Sequence, residues 1–262
     1  MVPFFKVGFA VVVLAATSVG GYYLFNMETG EKKSAILLSE RPSPDSVYTS
    51  DKFGGIYSIY MVDPNKAENE WWWNRVYENL KKDIADSTKN TKLSDKFQKG
   101  KIDKAYSSVE DGKALNHVCD AAFKSTPDSL KTPANYEENA WTYCSIVNAK
   151  YIFVTDKYTG KFGSKPEHKN KILSVENNDN DAFWTERNKQ FFGEAEKAGW
   201  GAKASEGSEF AKLYKKKSEN SRGNDDTIKK KCKDAYDTPT SGTPTVKDTD
   251  IEKFCYLIPK DI

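Results

Sequence analysis

The four cysteines of this 262-residue chain stand in two pairs of nearly equal spacing, Cys119 with Cys144 and Cys232 with Cys255. That repetition restricts the fold more than any other feature of the sequence. Aligning Cys119 on Cys232 without a gap brings Leu115 onto Ile228, Ala122 onto Ala235, Phe123 onto Tyr236, Asp111 onto Asn224 and Phe97 onto Phe210. Aligning Cys144 on Cys255 brings Thr132-Pro133 onto Thr243-Pro244, Ala140 onto Ile251, Tyr143 onto Phe254 and Val147 onto Ile258. Trp73 leads Leu80 by the same interval as Trp184 leads Phe191. Self-similarity of this kind predicts one unit written twice.

Within each copy the apolar residues keep helical spacing. Trp73, Val76, Leu80 and Ile84 form one stripe, with Asp63-Pro64 as the expected cap and first-turn proline. Leu115, Val118, Cys119, Ala122 and Phe123 form a second behind Asp111, and Ile228, Cys232, Ala235 and Tyr236 match it behind Asn224. Asp and Asn suit a helix start because the side-chain oxygen accepts an orphan backbone N–H. The third helix of each copy is expected to start at Thr132-Pro133 and Thr243-Pro244. The fold class is therefore mainly α, with short extended segments expected at Phe53 to Met61 and Tyr151 to Thr155, where aromatic and β-branched residues gather.

The N-terminus has a different character. From Val7 to Phe25 no side chain is charged, and as a helix this run is about 28 Å long, close to the roughly 30 Å hydrocarbon core of a bilayer. Residues 4–25 are expected to cross the membrane as a signal-anchor, with Lys6 at one end and Tyr22, Tyr23 and Phe25 at the other. Ala15, Ala16, Ser18 and Gly20 leave a cleaved signal peptide open, and a buried helix is the third reading. A long polar domain after a short N-terminal flank is expected outside the cytoplasm. The chain then divides into the anchor at 1–26, a stalk at 27–66, a first helical unit at 67–150, a linker at 151–180 and a second unit at 181–262.

If two neighbouring helices of a unit pack antiparallel, one cross-link per unit results, Cys119 to Cys144 and Cys232 to Cys255. Four cysteines allow three connectivities, and the internal repeat favours this one. Four buried free thiols are the alternative, which a cytoplasmic location would favour. A zinc site does not fit, since no two cysteines have the close spacing that lets thiolates share a metal. His117 and Cys119 point away from each other on a helix and make a poor nucleophile and base.

Trp71, Trp72 and Trp73 cannot all face one core, because successive helical residues are about 100° apart. Trp71 and Trp72 are thus candidate partner contacts, unless the Phe53 to Met61 segment folds over them. Lys215 to Lys217 and Lys229 to Lys231 are interrupted by acidic residues and read as solvated faces. Forty Lys and Arg against 38 Asp and Glu leave a net charge of +2, with no electrostatic footprint for nucleic acid. Asp225 and Asp226 read as helix-start acids rather than an acid–base pair. No hydrolase elbow, zinc-protease motif or dinucleotide fingerprint occurs, so no enzyme, cofactor or metal is expected.

The ordered set of Trp73, Cys119 and Tyr143-Cys144, then Trp184, Cys232 and Phe254-Cys255, behind an apolar N-terminus without a lipid-accepting cysteine, resembles the paralogous families of uncharacterised membrane-associated proteins of haemotropic mycoplasmas. Members often end each unit in Trp-Cys, where this chain has Tyr-Cys and Phe-Cys. The resemblance implies a surface-displayed protein of a wall-less bacterium, with host or surface-protein partners, and supplies no catalytic residues. The expected function is a non-catalytic interaction or antigen-display module. A cytoplasmic-side scaffold with free thiols and an undetected hydrolase are the alternatives.

Overall fold

A computed structural model describes residues 24–25, 32–42, 45–155, 157–193, 197–241 and 246–262. These residues are mainly helical: α1 (Phe53–Ile56), α2 (Glu70–Ala85), α3 (Ser87–Asn90), α4 (Leu115–Phe123), α5 (Tyr136–Cys144), α6 (Asp181–Phe192), α7 (Glu209–Ser218), α8 (Ile228–Asp237) and α9 (Asp248–Phe254). Regular sheet among the described residues is confined to the antiparallel pair β1 (Leu24–Phe25) and β2 (Lys32–Lys33). No helix among them is long and apolar enough to cross a membrane. The apolar run 4–25 lies outside the described residues, except for Leu24 and Phe25 in β1.

The helices form where apolar residues recur on one face. α2 buries Trp72, Trp73, Val76 and Leu80, and α6 buries Phe183, Trp184, Arg187, Phe191 and Phe192. α4 and α8 bury Leu115, Cys119, Ala122 and Phe123, and Ile228, Cys232, Ala235 and Tyr236. All these faces join one continuous core.

Several helix starts differ from those expected. α2 begins at Glu70 after a turn of 3-10 helix, Ala67–Asn69, and Asp63 is instead buried, with an ion pair to Arg41 at 3.1 Å. The Asp111 side chain caps its own turn by accepting from the Lys113 N–H, and α4 starts four residues later. α8 is capped by Thr227, whose hydroxyl accepts from Lys230 N–H at 3.2 Å, rather than by Asn224. Thr132-Pro133 is a cis peptide bond ahead of α5, which starts at Tyr136 behind Asn135. Thr243-Pro244 lies outside the described residues.

The stretches read as stalk and linker carry much of the framework. Leu38, Tyr48, Phe53, Tyr60, Met61 and Val62 are buried, as are Tyr158, Phe162, Ile172, Leu173 and Val175. Phe53 to Met61 begins as the short helix α1 rather than a strand, and Met61 and Val62 then make single antiparallel bridges to Ser145 and Leu37. Their Ser, Pro and Lys content gave them the composition of loops, but a few large side chains are enough to bury a segment that needs no long helix.

Two sets of contacts correspond. The bridges Met61 to Ser145 and Leu37 to Val62 have the counterparts Ile172 to Tyr256 and Phe153 to Leu173. Val62 N–H donates to Cys144 O at 3.2 Å, and Leu173 N–H donates to Cys255 O at 3.1 Å. Asn69 accepts from Ile36 N–H at 2.8 Å and donates to Ile36 O and Asp63 O at 2.8 and 2.9 Å. Asn180 does the same with Ile152 N–H, Ile152 O and Ser174 O at 2.9, 2.7 and 2.9 Å. Both asparagines are fully buried immediately before α2 and α6. Each fastens an extended strand of chain to a helix start, satisfying backbone groups that would otherwise be stranded in the core.

Further along, Ser94 N–H donates to Asn139 and Ser205 N–H to Asp250, at 2.6 and 2.9 Å. Phe97 lies against Tyr143 at 5.4 Å between ring centroids, and Phe210 against Phe254 at 5.3 Å. The N-terminal and C-terminal halves meet where Phe183 packs on Tyr60 and Trp141, at 5.2 and 5.6 Å.

Candidate functional site: the cross-linked helix pairs

Cys119 on α4 is bonded to Cys144 at the end of α5, and Cys232 on α8 to Cys255, which caps the end of α9. The Cα atoms are 5.6 and 5.8 Å apart, within the usual range for a disulfide. All four cysteines are fully buried. In the chain-entropy picture, closing loops with separations of 25 and 23 residues restricts the unfolded chain by about 3 kcal/mol each. Both cross-links are walled in by apolar helix faces, so they act on stability and are shielded from soluble thiols.

Of the two tryptophans singled out as partner contacts, Trp72 is covered and Trp71 is partly so. Trp72 is 2% exposed and meets the fully buried Trp73 edge-on at 4.7 Å. Trp71 is half-buried and packs against the same core. Neighbours on more than one side explain this, since α2 touches the turn before it as well as α3, α4 and α5. Large exposed apolar side chains among the described residues are limited to Val47, Val109 and Ile258.

Arg187 is the residue that the sequence pattern did not single out. It is 1% exposed, and all five of its N–H groups find acceptors. Nε donates to Gln190 at 3.2 Å. Nη1 donates to Phe254 O and Tyr256 O at 3.0 and 2.9 Å. Nη2 donates to the Tyr60 hydroxyl and Leu257 O at 2.7 and 3.2 Å, and the guanidinium lies 5.3 Å from the Trp200 ring. A cation is favoured here because it faces the last carbonyls of α9, the negative end of the helix. Tyr60 in turn donates to Leu257 O at 2.8 Å, so one guanidinium ties both halves to the C-terminal segment.

The two histidines are held structurally. His117 Nε2 sits 3.0 Å from Ser107 O on the loop before α4. His168 is fully buried, with Nε2 3.0 Å from Asp248 Oδ1 and Nδ1 2.9 Å from the Tyr256 hydroxyl. Since a carboxylate only accepts, Nε2 carries the proton shared with Asp248. Burial holds the imidazole pKa below its ordinary value, against the opposing pull of Asp248. Asp226 accepts from Gly223 N–H and Lys216, while Asp225 accepts from Thr227 N–H through its backbone carbonyl. Neither aspartate is arranged with a nucleophile.

Two surface hollows have mixed polar and apolar linings. One of about 430 Å³ is lined by Ser39, Arg41, Asp45, Tyr48, Thr49 and Ser58 among others, and Arg41 in it is tied to Asp45 and Asp63. The Tyr48 hydroxyl at its wall donates to Asp120 at 2.5 Å, and burial raises the phenol pKa, so it is no ready acid or base. The other, about 280 Å³, lies between α2 and α5 beside Val76, Asp83, Lys89 and Tyr143. Among the described residues no group of three His, Cys, Asp or Glu side chains is placed to hold a metal ion. Comparison with known proteins finds no matching family model, no matching curated protein and no matching solved structure.

Proposed function

We propose that this chain is a non-catalytic, membrane-anchored module displayed outside the cytoplasm, in which two tandem copies of one disulfide-stapled helical unit present surface loops for recognition or antigen display. The observation that carries this reading is the pair of buried disulfides joining corresponding helices in each half. Stable disulfides belong to oxidising compartments. The apolar run at 4–25 supports a tether, and the resemblance to the haemotropic mycoplasma families supports display at the surface of a wall-less cell.

Duplication is supported by the matching asparagine fasteners Asn69 and Asn180 and by the matching bridges at Met61 and Ile172. A tagged full-length chain on intact cells tests the display reading. A C-terminal tag removed by added protease, with the chain extracted by detergent but not by high salt or carbonate, is the expected result. A tag that is protected until the cells are lysed overturns it.

A further inference from the structure

The lysine runs conspicuous in the sequence are neutralised in the fold. Lys215, Lys216, Lys229, Lys230 and Lys231 are ion-paired with Glu219, Asp226, Asp181, Asp234 and Glu209. Lys217 donates to Phe192 O at 2.7 Å. The loop 92–101 after α3 behaves differently. Lys92, Lys96, Lys99 and Lys101 are all exposed, and none has an ion-pair partner among the described residues. The loop's one acid is Asp95.

The loop is also well anchored. Leu93 and Phe97 are buried, as is Ile102 just beyond them, and Phe97 lies against Tyr143. Ser94 N–H is held by Asn139, and Gly100, at φ +79°, makes the turn between Lys99 and Lys101. Four exposed cations thus stand within ten residues of a backbone already ordered, which lowers the entropy cost of binding. The corresponding stretch of the other half, from Lys203 to Tyr214, carries Glu206 and Glu209 and two lysines, Lys203 and Lys212.

We infer that the 92–101 loop is a docking strip for a linear polyanionic polysaccharide, a sulfated or carboxylated glycan chain. Ammonium groups act as point charges and suit irregularly placed sulfates and carboxylates, whereas planar bidentate recognition would call for arginine. The strip offers no exposed aromatic ring on which a nucleic-acid base could stack, because Phe97 is fully buried. It offers no exposed apolar side chain to enter a lipid surface either, since Leu93 is also buried. The 16-residue α2, about 24 Å long, separates the end where Ile36 is fastened on Asn69 from the end where the chain leaves towards the strip. This inference rests on the display reading, which would bring the strip to extracellular glycans.

The test uses the purified full-length chain in neutral phosphatidylcholine nanodiscs, with heparin as the probe and neutral dextran, vesicles containing phosphatidylglycerol and RNA as comparators. Heparin binding is expected to weaken as salt rises and to fall at least tenfold in the K92Q/K96Q/K99Q/K101Q variant. A K212Q/K215Q/K229Q/K230Q variant, which changes the net charge equally, should bind like the unmodified chain. All eight positions are exposed or half-exposed, so far-ultraviolet circular dichroism should be unchanged in both variants. No heparin binding, equal loss in the two variants, or tighter binding to vesicles or RNA than to heparin would overturn the proposal. Loss confined to the first variant supports it. Topology is read separately by protease protection, so a failure of display and a failure of glycan binding are told apart.

Discussion

Val76 on α2 and Arg187 on α6 occupy corresponding places in the two halves, and they fill them by opposite means. Val76 packs as an ordinary core side chain, with a hollow of mixed lining left beside it between α2 and α5. Arg187 occupies its place with a guanidinium whose hydrogen bonds all end inside the protein. The asparagine fasteners, the single bridges and the disulfides are nevertheless the same in both halves. Backbone groups that must be satisfied tolerate little substitution, whereas a cavity can be filled by any chemistry that closes its own hydrogen bonds.

The largest asymmetry is expected from Arg187→Val. It places there the valine of the other half but leaves the carbonyls of Phe254 and Tyr256 short of a donor, while Tyr60 still serves Leu257 O, and should cost about 4 kcal/mol in denaturant unfolding. A loss under 1 kcal/mol would mean that water replaces the guanidinium and that the two halves are interchangeable there.

Removing the cross-links one at a time is expected to be symmetric. Cys119→Ala with Cys144→Ala, and Cys232→Ala with Cys255→Ala, should each cost about 3 kcal/mol, because the closed loops are nearly equal. Thermal unfolding of the two double variants would show whether one half unfolds without the other. The fasteners sharpen the same comparison. Asn69→Ala strands Ile36 N–H and Asp63 O and should cost about 2 to 3 kcal/mol by chemical denaturation, whereas Asn180→Ala strands Ile152 N–H alone, because the Trp184 indole still donates to Ser174 O, and should cost about 1 to 2 kcal/mol.

His168 gives the smallest and most specific asymmetry. Its pKa is held below the ordinary 6.5, so the unfolded chain binds the proton more readily than the folded one. Stability should be fully present above that value and fall as pH drops through the window beneath it. Unfolding midpoints across this range should show a shallower slope in His168→Gln. An unchanged slope would assign the pH dependence to other groups.

Much of this was legible in the residues, though not evenly. The helical faces of α2, α4 and α8 follow from apolar spacing, and the cysteine pairing from the matched spacing of the two cysteine pairs. The fasteners were within reach, since Asn69 and Asn180 stand four residues before Trp73 and Trp184, yet a lone polar residue before a helix reads as a cap. Arg187 falls on the stripe that Trp184 and Phe191 define, where a charged residue looks like a break in the face. The burial of Met61, Val62, Ile172 and Leu173 could not be read from local pattern, because they pair with chain further away in sequence. The burial of Trp72 escapes local pattern for a related reason: a helix enclosed on several sides buries more than one face.

The most direct test of the displayed, cross-linked module is a thiol count on intact cells with a membrane-impermeant maleimide, before and after reduction under denaturing conditions, followed by peptide mapping. Labelling that appears only after reduction, with peptides joined Cys119 to Cys144 and Cys232 to Cys255, is the expected result. Four thiols that react without reductant, and only once the cells are lysed and the protein is unfolded, would place the domain in the cytoplasm and contradict the central claim.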